Sequence, residues 1–482
     1  MMRRFTFAAV ALAITLALPC AAADEPKVAA AEIKADFQDL YGRLRASHFN
    51  LYVRRSPTEY DALHRSMLAS FDRPMSLRDV RVQFQKFMAF GRVAHSRVDF
   101  PSDAYGAYRD AGGKTFPLSV RVTGGRVTVA ENNSGSRAIL TGQEILTLNG
   151  VAMAQWLDRL GAHVSADSPY MLHTLLENRL PALFWLELGA VDSFSLQLRG
   201  ASGTFNTVVP ARTREEMKAN AQPSQTLALD WDRRDFKILD NGVGYMRPGP
   251  FYNNDPAATN IWDVSAFRQF IDASFEALLK ARTRTLVIDL RDNPGGDNSF
   301  SDLMVGWFAT KPFQFASAFQ IKVSEAAIAS NAKRLTPNDT DSISRKFAAA
   351  YAKAKIGDVI SFDIPMVEPR AGARFGGRVY ILVNRHSYSN TVMVAALAQD
   401  YKFATILGEE TSDLASTYGA MEQFTLPRTK IDVGFPKAHI IRPNGDTSAR
   451  GVVPDIAIAT PVVENKDDPV LRRAVEIAAG RR

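Results

Sequence analysis

The sequence predicts an α/β protein in which a helical segment and a β-rich module precede a larger α/β core. Three observations carry that prediction. Apolar residues recur at helical spacing over residues 30–95. From about residue 116 the period switches to two, the mark of half-buried strands. Beyond residue 213, short unbroken apolar runs of the kind buried strands make alternate with amphipathic stretches.

In the helical segment, residues 24–101, "FQDLYGRLRASHFNLY" places Phe37, Leu40, Tyr41, Leu44 and His48 on one helix face. "TEYDALHRSMLASF" and "SLRDVRVQFQKFMAF" repeat the pattern. Each opens on Thr or Ser with acidic residues following, an N-cap signal, so about three helices are expected. The β-rich module spans 102–212. "FPLSVRV" and "RVTVAEN" alternate around the turn "TGG", and "DSFSLQL" and "TFNTVV" alternate again. Between them, "ILTGQEILTLNGVAMAQWLDRL" reads as turn, strand, Asn-Gly turn and helix. The polar stretch "ARTREEMKANAQPSQ" reads as a linker into the core, 213–482. There "SAFRQFIDASFEALLKA" carries Phe267, Phe270, Ile271, Phe275, Leu278 and Leu279 on one face. "TLVIDL", "RVYILV" and "FATIL" read as buried strands, and "SFSDLMVGWFA" as a helix. Residues 324–356, rich in Ala, Ser and Lys, read as a helical insertion or lid. No internal repeat is evident.

The 482 residues are 46% hydrophobic and 23% charged, ordinary globular values at a length that suggests several domains. The first residues differ in kind. "MMRRF" is basic, "TFAAVALAITLALP" apolar and "CAAAD" small, the three parts of a secretory signal peptide over 1–23, with cleavage near Ala23. The apolar stretch is short for a membrane span. Cys20 is the one cysteine, and Pro19 before it does not suit a lipoprotein anchor. The exported chain would then hold no disulfide and no thiol. A periplasmic or secreted location is expected. The formal charge of +7 falls to +5 without Arg3 and Arg4, and no basic cluster interleaves with aromatics, so nucleic acid is not an expected partner.

Two loops carry candidate chemistry. In "NRHSYSN", residues 384–390, two serines and a histidine sit where a buried strand gives way to a helix. Unpaired N–H groups at such a helix start can hold an oxyanion beside a serine nucleophile. Serine is equally a preferred N-cap, and position alone favours that duller role. In "VIDLRDNPGG" a strand meets paired glycines, Gly295 and Gly296, which let a backbone approach a ligand closely. The alternative is a plain Pro-Gly turn.

Taken together, the segments resemble the tail-specific (C-terminal-processing) serine proteases. That family carries "DLR-N-x-GG" at one strand end, then a strand, a Ser-rich turn, a helix and "GE-x-T". Here these are "IDLRDNPGG" at 288–296 and "VYILVNRHSYSNTVMVAALAQDYKFATILGEET" at 379–411. "GVVPD" at 451–455 matches the closing "G-V-x-PD". "LTGQEILTLNG" resembles the family's PDZ-like module, and "FGRVAHSRV" resembles the N-terminal domain of its tricorn-like branch, where a "D-x-H-T" histidine is catalytic.

The resemblance covers most of the mature chain and implies a crotonase-like β-β-α core. It implies Ser389 as nucleophile, with Gly408 at the family spacing 19 residues on, and Ser387 as runner-up. The implied oxyanion donors are the backbone N–H of Asn390 and of Gly295 or Gly296. Leu414 stands where the Ser/Lys branch has its lysine, so the Ser/His branch fits better, with His95 as base. The alternative for His95 is a helix-end histidine favoured by the dipole. Ala94 and Ser448 replace a serine and the orienting glutamate of that branch, and Asp446 is the nearby substitute.

The expectation is an exported serine peptidase acting on peptides or unfolded proteins. It needs no cofactor and no metal, and homo-oligomerisation is left open. The rival expectation is a catalytically impaired member that binds peptides or apolar ligands. Two further signals are set aside. "SNAK" at 330–333 lacks the partner motifs of penicillin-binding proteins, and His386 reads as a surface turn residue.

Overall fold

The structure is a computed structural model that describes residues 27–221, 229–335, 342–462 and 467–480. The segment read as a signal peptide, Cys20 included, lies outside the described residues. No helix among the described residues is long and apolar enough to cross a membrane.

The N-terminal part holds β1 (Lys27–Val28), α1 (Ala30–Ser47), α2 (Pro57–Ser70), β2 (Met75–Ser76), α3 (Leu77–Phe90) and α4 (Ser102–Asp110). The three expected helices are present. α2 opens on a capping box in which Ser56 and Glu59 satisfy each other's backbone N–H. Phe37, Tyr41, Tyr60, Phe84 and Phe87 form the buried seam between α1, α2 and α3.

The second part holds β3 (Leu118–Thr123), β4 (Arg126–Asn132), β5 (Glu144–Leu148), β6 (Val151–Ala152), α5 (Met153–Gly161), α6 (Pro169–Leu188), β7 (Ser193–Gly200) and β8 (Gly203–Pro210). Its strands pair antiparallel in the order β3-β4-β5-β7-β8, with β6 on β5. The 20-residue α6, over residues to which no element had been assigned, lies on this sheet and closes its core. α7 (Arg214–Asn220) follows, so the expected linker is helical in part. A capping box of Thr213 and Glu216 starts it.

The last part holds β9 (Asp235–Ile238), β10 (Gly244–Arg247), α8 (Ser265–Lys280), β11 (Thr285–Asp289), α9 (Asn298–Val305), β12 (Ala318–Lys322), α10 (Glu325–Ala332), α11 (Ile343–Tyr351), β13 (Val359–Ser361), β14 (Arg378–Val383), α12 (Asn390–Asp400), β15 (Thr405–Gly408), β16 (Thr417–Thr425), β17 (Asp432–Ile441), β18 (Ile456–Ala457) and α13 (Pro469–Ala478). One sheet runs β18-β15-β14-β11-β10-β9, parallel except for β9 at its edge. Leu286 and Ile288 of β11 face the core shared with α8, α9 and α12, while Val287 faces α13. Burial on both faces explains the unbroken apolar run. β11 and β14 pair directly, Thr285 against Arg378 through Asp289 against Leu382. Their carboxyl ends are therefore level, and the two motif loops leave the sheet side by side.

A second, antiparallel sheet runs β13-β12-β17-β16. α10 and α11 fill the segment expected as an insertion or lid, but it is no free lid. Ala327 packs into the N-terminal helical core, Phe347 and Tyr351 pack on β12 and β17, and Arg334 joins a buried network with Glu422 and Lys437.

Candidate active site

The "IDLR" stretch is a clasp. Asp289, buried at the end of β11, receives Arg291 Nε at 3.0 Å and Nη2 at 2.8 Å. The same guanidinium reaches Asp468 at 2.9 and 2.7 Å, and Asp468 caps α13. A bidentate arginine suits this role because its planar fork matches two carboxylates at once.

Asn293 then sews one loop to the other. Its Nδ2 donates to Gly249 O (2.7 Å), and its Oδ1 accepts from Gly295 N–H (3.0 Å) and Thr391 Oγ (2.8 Å). Its carbonyl accepts the Tyr388 N–H at 3.0 Å. The glycines that follow are required by the space. A Cβ on Gly295 (φ +89°) would lie 2.6 Å from Tyr388 O, 2.8 Å from Asn390 N and 2.9 Å from Ser389 Cβ. One on Gly296 would lie 2.1 Å from Phe251 O.

On the facing loop the two serines divide. Ser387 is fully buried and spent on structure, donating to Leu290 O (2.8 Å) and accepting the Asn384 N–H (3.1 Å). Ser389 stands at the N-cap position of α12 and does not cap it. Its backbone, φ 55° and ψ −125°, lies outside the usual regions for a residue with a Cβ, and its side chain makes no bond to the helix. The cap role that position favoured is therefore not the one it plays. Its own N–H donates to Asp413 Oδ2 at 2.7 Å, and Asp413 Oδ1 accepts the Leu414 N–H at 2.9 Å. Burial pushes the Asp413 carboxyl up to about 6.

Among the described residues, the N–H groups of Gly296 and Asn390 meet no acceptor. Gly295 N–H, named with Gly296 as a candidate donor, is taken by Asn293.

His95 follows the end of α3. Its ring stacks against Tyr388, the neighbour of Ser389, with centroids 5.9 Å apart. Burial lowers its pKa, opposed by the negative charge of Asp167 and helped by Arg97, and the Tyr418 backbone also meets the ring. Its Nδ1 is buried without a hydrogen-bond partner among the described residues. An unpaired buried polar atom of this kind costs about 1–3 kcal/mol.

Asp446, expected as its orienting group, is not brought to it. That residue is exposed and holds its own turn, its carboxylate taking the Ser448 N–H (2.9 Å) and Oγ (3.0 Å), while its carbonyl accepts from Ser416 Oγ. His386 is engaged elsewhere, its Nε2 3.1 Å from Glu177 Oε2. Arg385 joins that carboxylate (3.0 Å) to Glu409 (2.6 Å), locking α6 onto the loop that carries Ser389.

Sequence reasoning missed Asp167 and Asp413. Asp413 had a local signal, an acid just after "GEET"; Asp167 had none. Among the described residues, no cluster of three His, Cys, Asp or Glu side chains is disposed to hold a metal ion.

Comparison with known families matches residues 258–458 to peptidase family S41. No curated protein matches the chain. Among solved structures, mature CPAF in complex with lactacystin is similar at 14% identity and TM-score 0.65, covering 93% of this chain and 98% of that one. Mature CPAF by itself is similar at 15% identity and TM-score 0.65, covering 93% and 97%. At such identities these likenesses concern the fold.

Proposed function

The α/β core of this chain belongs to peptidase family S41, the tail-specific serine peptidases, and on that premise we propose that Ser389 is the nucleophile of an exported peptidase. The observation that carries the reading is the backbone of Ser389. Its positive φ lifts the side chain off the helix it should cap, beside two N–H groups without acceptors. Backbone strain of about 1–3 kcal/mol persists where surrounding structure over-determines it, and such sites are commonly catalytic.

The steps follow from the parts. His95, neutral, takes the proton of Ser389 Oγ as that oxygen attacks a peptide carbonyl carbon. The N–H groups of Gly296 and Asn390 hold the resulting oxyanion. The imidazolium returns the proton to the departing amine. Water, deprotonated by the same ring, then attacks the ester carbonyl, and the ring passes that proton to Ser389 Oγ as the acyl group leaves as an acid. The crotonase-like character of the core and the PDZ-like character of the β module rest on the sequence resemblance. Export rests on the three-part N-terminus. An extended substrate strand added to the β module would suit peptide or unfolded-protein substrates.

The test is digestion of an unfolded protein such as reduced casein, with products read by mass spectrometry. Wild type should yield discrete peptides and Ser389→Ala none. Equal digestion by both would refute the assignment. The rival reading, a binding protein without activity, draws on the unpaired Nδ1 of His95. Capture of intact chains without cleavage would support it.

A further inference from the structure

His95 lacks the family's orienting glutamate, and the residue that borders it instead comes from the β module. Asp167 lies in the loop between α5 and α6, and its side chain is wholly buried. Its Oδ2 accepts the N–H of Ala94, the residue before His95, at 3.3 Å. Its Oδ1 lies 3.0 Å from Arg54 Nη1, an ion pair whose angle makes no hydrogen bond, so this oxygen is left without a hydrogen-bond partner among the described residues. Nδ1 of His95 is left in the same condition, within the field of the same carboxylate. The carboxylate that holds the Ala94 N–H thus carries an oxygen with an ion pair but no hydrogen bond, and the next residue carries a buried ring nitrogen with none, so the two are complementary groups.

We propose that Asp167 is the positioning residue of His95, fixing the backbone that carries the ring and supplying the negative charge that steadies the imidazolium. The β module thereby completes the site, since α6, which begins beside Asp167, is also locked to the Ser389 loop through Glu177 and Arg385. The inference rests on His95 being the base.

The charges around the pair are few. Asp167 faces Arg54, Asp413 and His95, and the ring faces Asp167, Arg97, the Tyr388 ring and the Tyr418 backbone. Burial moves the Asp167 carboxyl up to about 6, so it is ionised at neutral pH, where the base must work.

The test reads His95 in the full chain by NMR titration of labelled histidine, and separately the rate at which a fluorophosphonate labels Ser389. In Asp167→Asn the His95 midpoint should fall by about half a pH unit or more, and labelling should slow about tenfold or more. Asp167→Glu should recover part of both. If the Asn variant does not fold, Arg54→Met with Asp167→Leu removes both buried charges together, a replacement folds usually tolerate. Losing the Arg54 cation offsets part of the midpoint shift there, so slower labelling is the outcome expected of that variant. An unmoved midpoint with wild-type labelling, in either variant, overturns the proposal. Labelling that needs His95 but ignores Asp167 would leave the peptidase reading standing and remove this inference alone. A wild type that resists labelling fails the peptidase reading instead, and the titration still decides whether Asp167 governs the ring.

Discussion

Replacing Gly295 with alanine should disable the site while leaving most of the protein folded. Two costs add. The first is conformational, since φ is +89° and alanine resists that region by about 1–3 kcal/mol. The second is steric. The new methyl would sit 2.6 Å from Tyr388 O and 2.8 Å from Asn390 N, distances that real side chains do not tolerate. Both atoms are backbone, so the Ser389 loop must move rather than a side chain swing away. A shift that turns the Asn390 N–H from the oxyanion position forfeits one donor, worth about 10²–10³ in rate.

Gly112→Ala is the control. It shares the positive φ (+82°) but has open space around the added methyl, so it pays the conformational cost alone. The assay compares fluorophosphonate labelling rates and thermal unfolding for both variants. Gly112→Ala should unfold slightly earlier and label normally, and Gly295→Ala should label at least about a hundredfold more slowly. Equal labelling by the two would refute the claim that close approach of these loops builds the oxyanion site.

Other outcomes follow from single contacts. Ser387→Ala should lower stability by about 1–2 kcal/mol in urea unfolding and leave the labelled residue at Ser389, because Ser387 serves only Leu290 and Asn384. Arg291→Met removes the bidentate partner of buried Asp289 and half-buried Asp468; Asp289 keeps Arg247 at 3.3 Å and the Tyr245 hydroxyl at 3.1 Å, so the cost should be about 2–3 kcal/mol by the same measurement. Asp413 and Asp167 are both held near 6, above the usual 3.8, so the folded state binds more protons than the unfolded between those values. Stability contributed by these groups should therefore fall as pH rises from about 4 to 6, and Asp413→Asn should flatten that decline in a pH series of urea unfolding. Burial lowers the His95 pKa, so its basic form persists below pH 6.5, and the labelling rate of Ser389 should reach half its maximum below that pH.

The β-module strands, three core strands (β11, β14 and β15) and the motif loops were legible because local pattern determines them, whereas the antiparallel sheet β13-β12-β17-β16 and strands β9, β10 and β18 were not assigned. β11 and β14 are buried on both faces, and only such burial produces runs like "TLVIDL" and "RVYILV". Helices α1 to α3 announced themselves through period, and α3 also through its Ser76 cap; α2 starts two residues earlier than its Thr58 suggested, on Ser56, and α1 has no side-chain cap. α6 did not. Apolar residues lie around most of its circumference, so no period stands out, and its one local start signal, Ser168 capping the Met171 N–H with Pro169 at the first helical position, went unread. The choice between Gly295 and Gly296 also lay beyond the sequence, since it depends on where the Asn293 side chain turns. Asp167 was hidden for a different reason. It reaches the His95 loop from another module, and no spacing rule connects residues that meet only through tertiary packing. The guess of Asp446 used nearness in sequence where nearness in space was needed.

The central claim is that Ser389 is an activated nucleophile served by His95. The most direct measurement treats the full chain with a fluorophosphonate and maps the adduct by mass spectrometry, with Ser389→Ala and His95→Ala alongside. The account predicts one adduct, on Ser389, absent from the first variant and strongly reduced in the second. A folded wild-type protein that takes no label, or takes it on another serine, would contradict it.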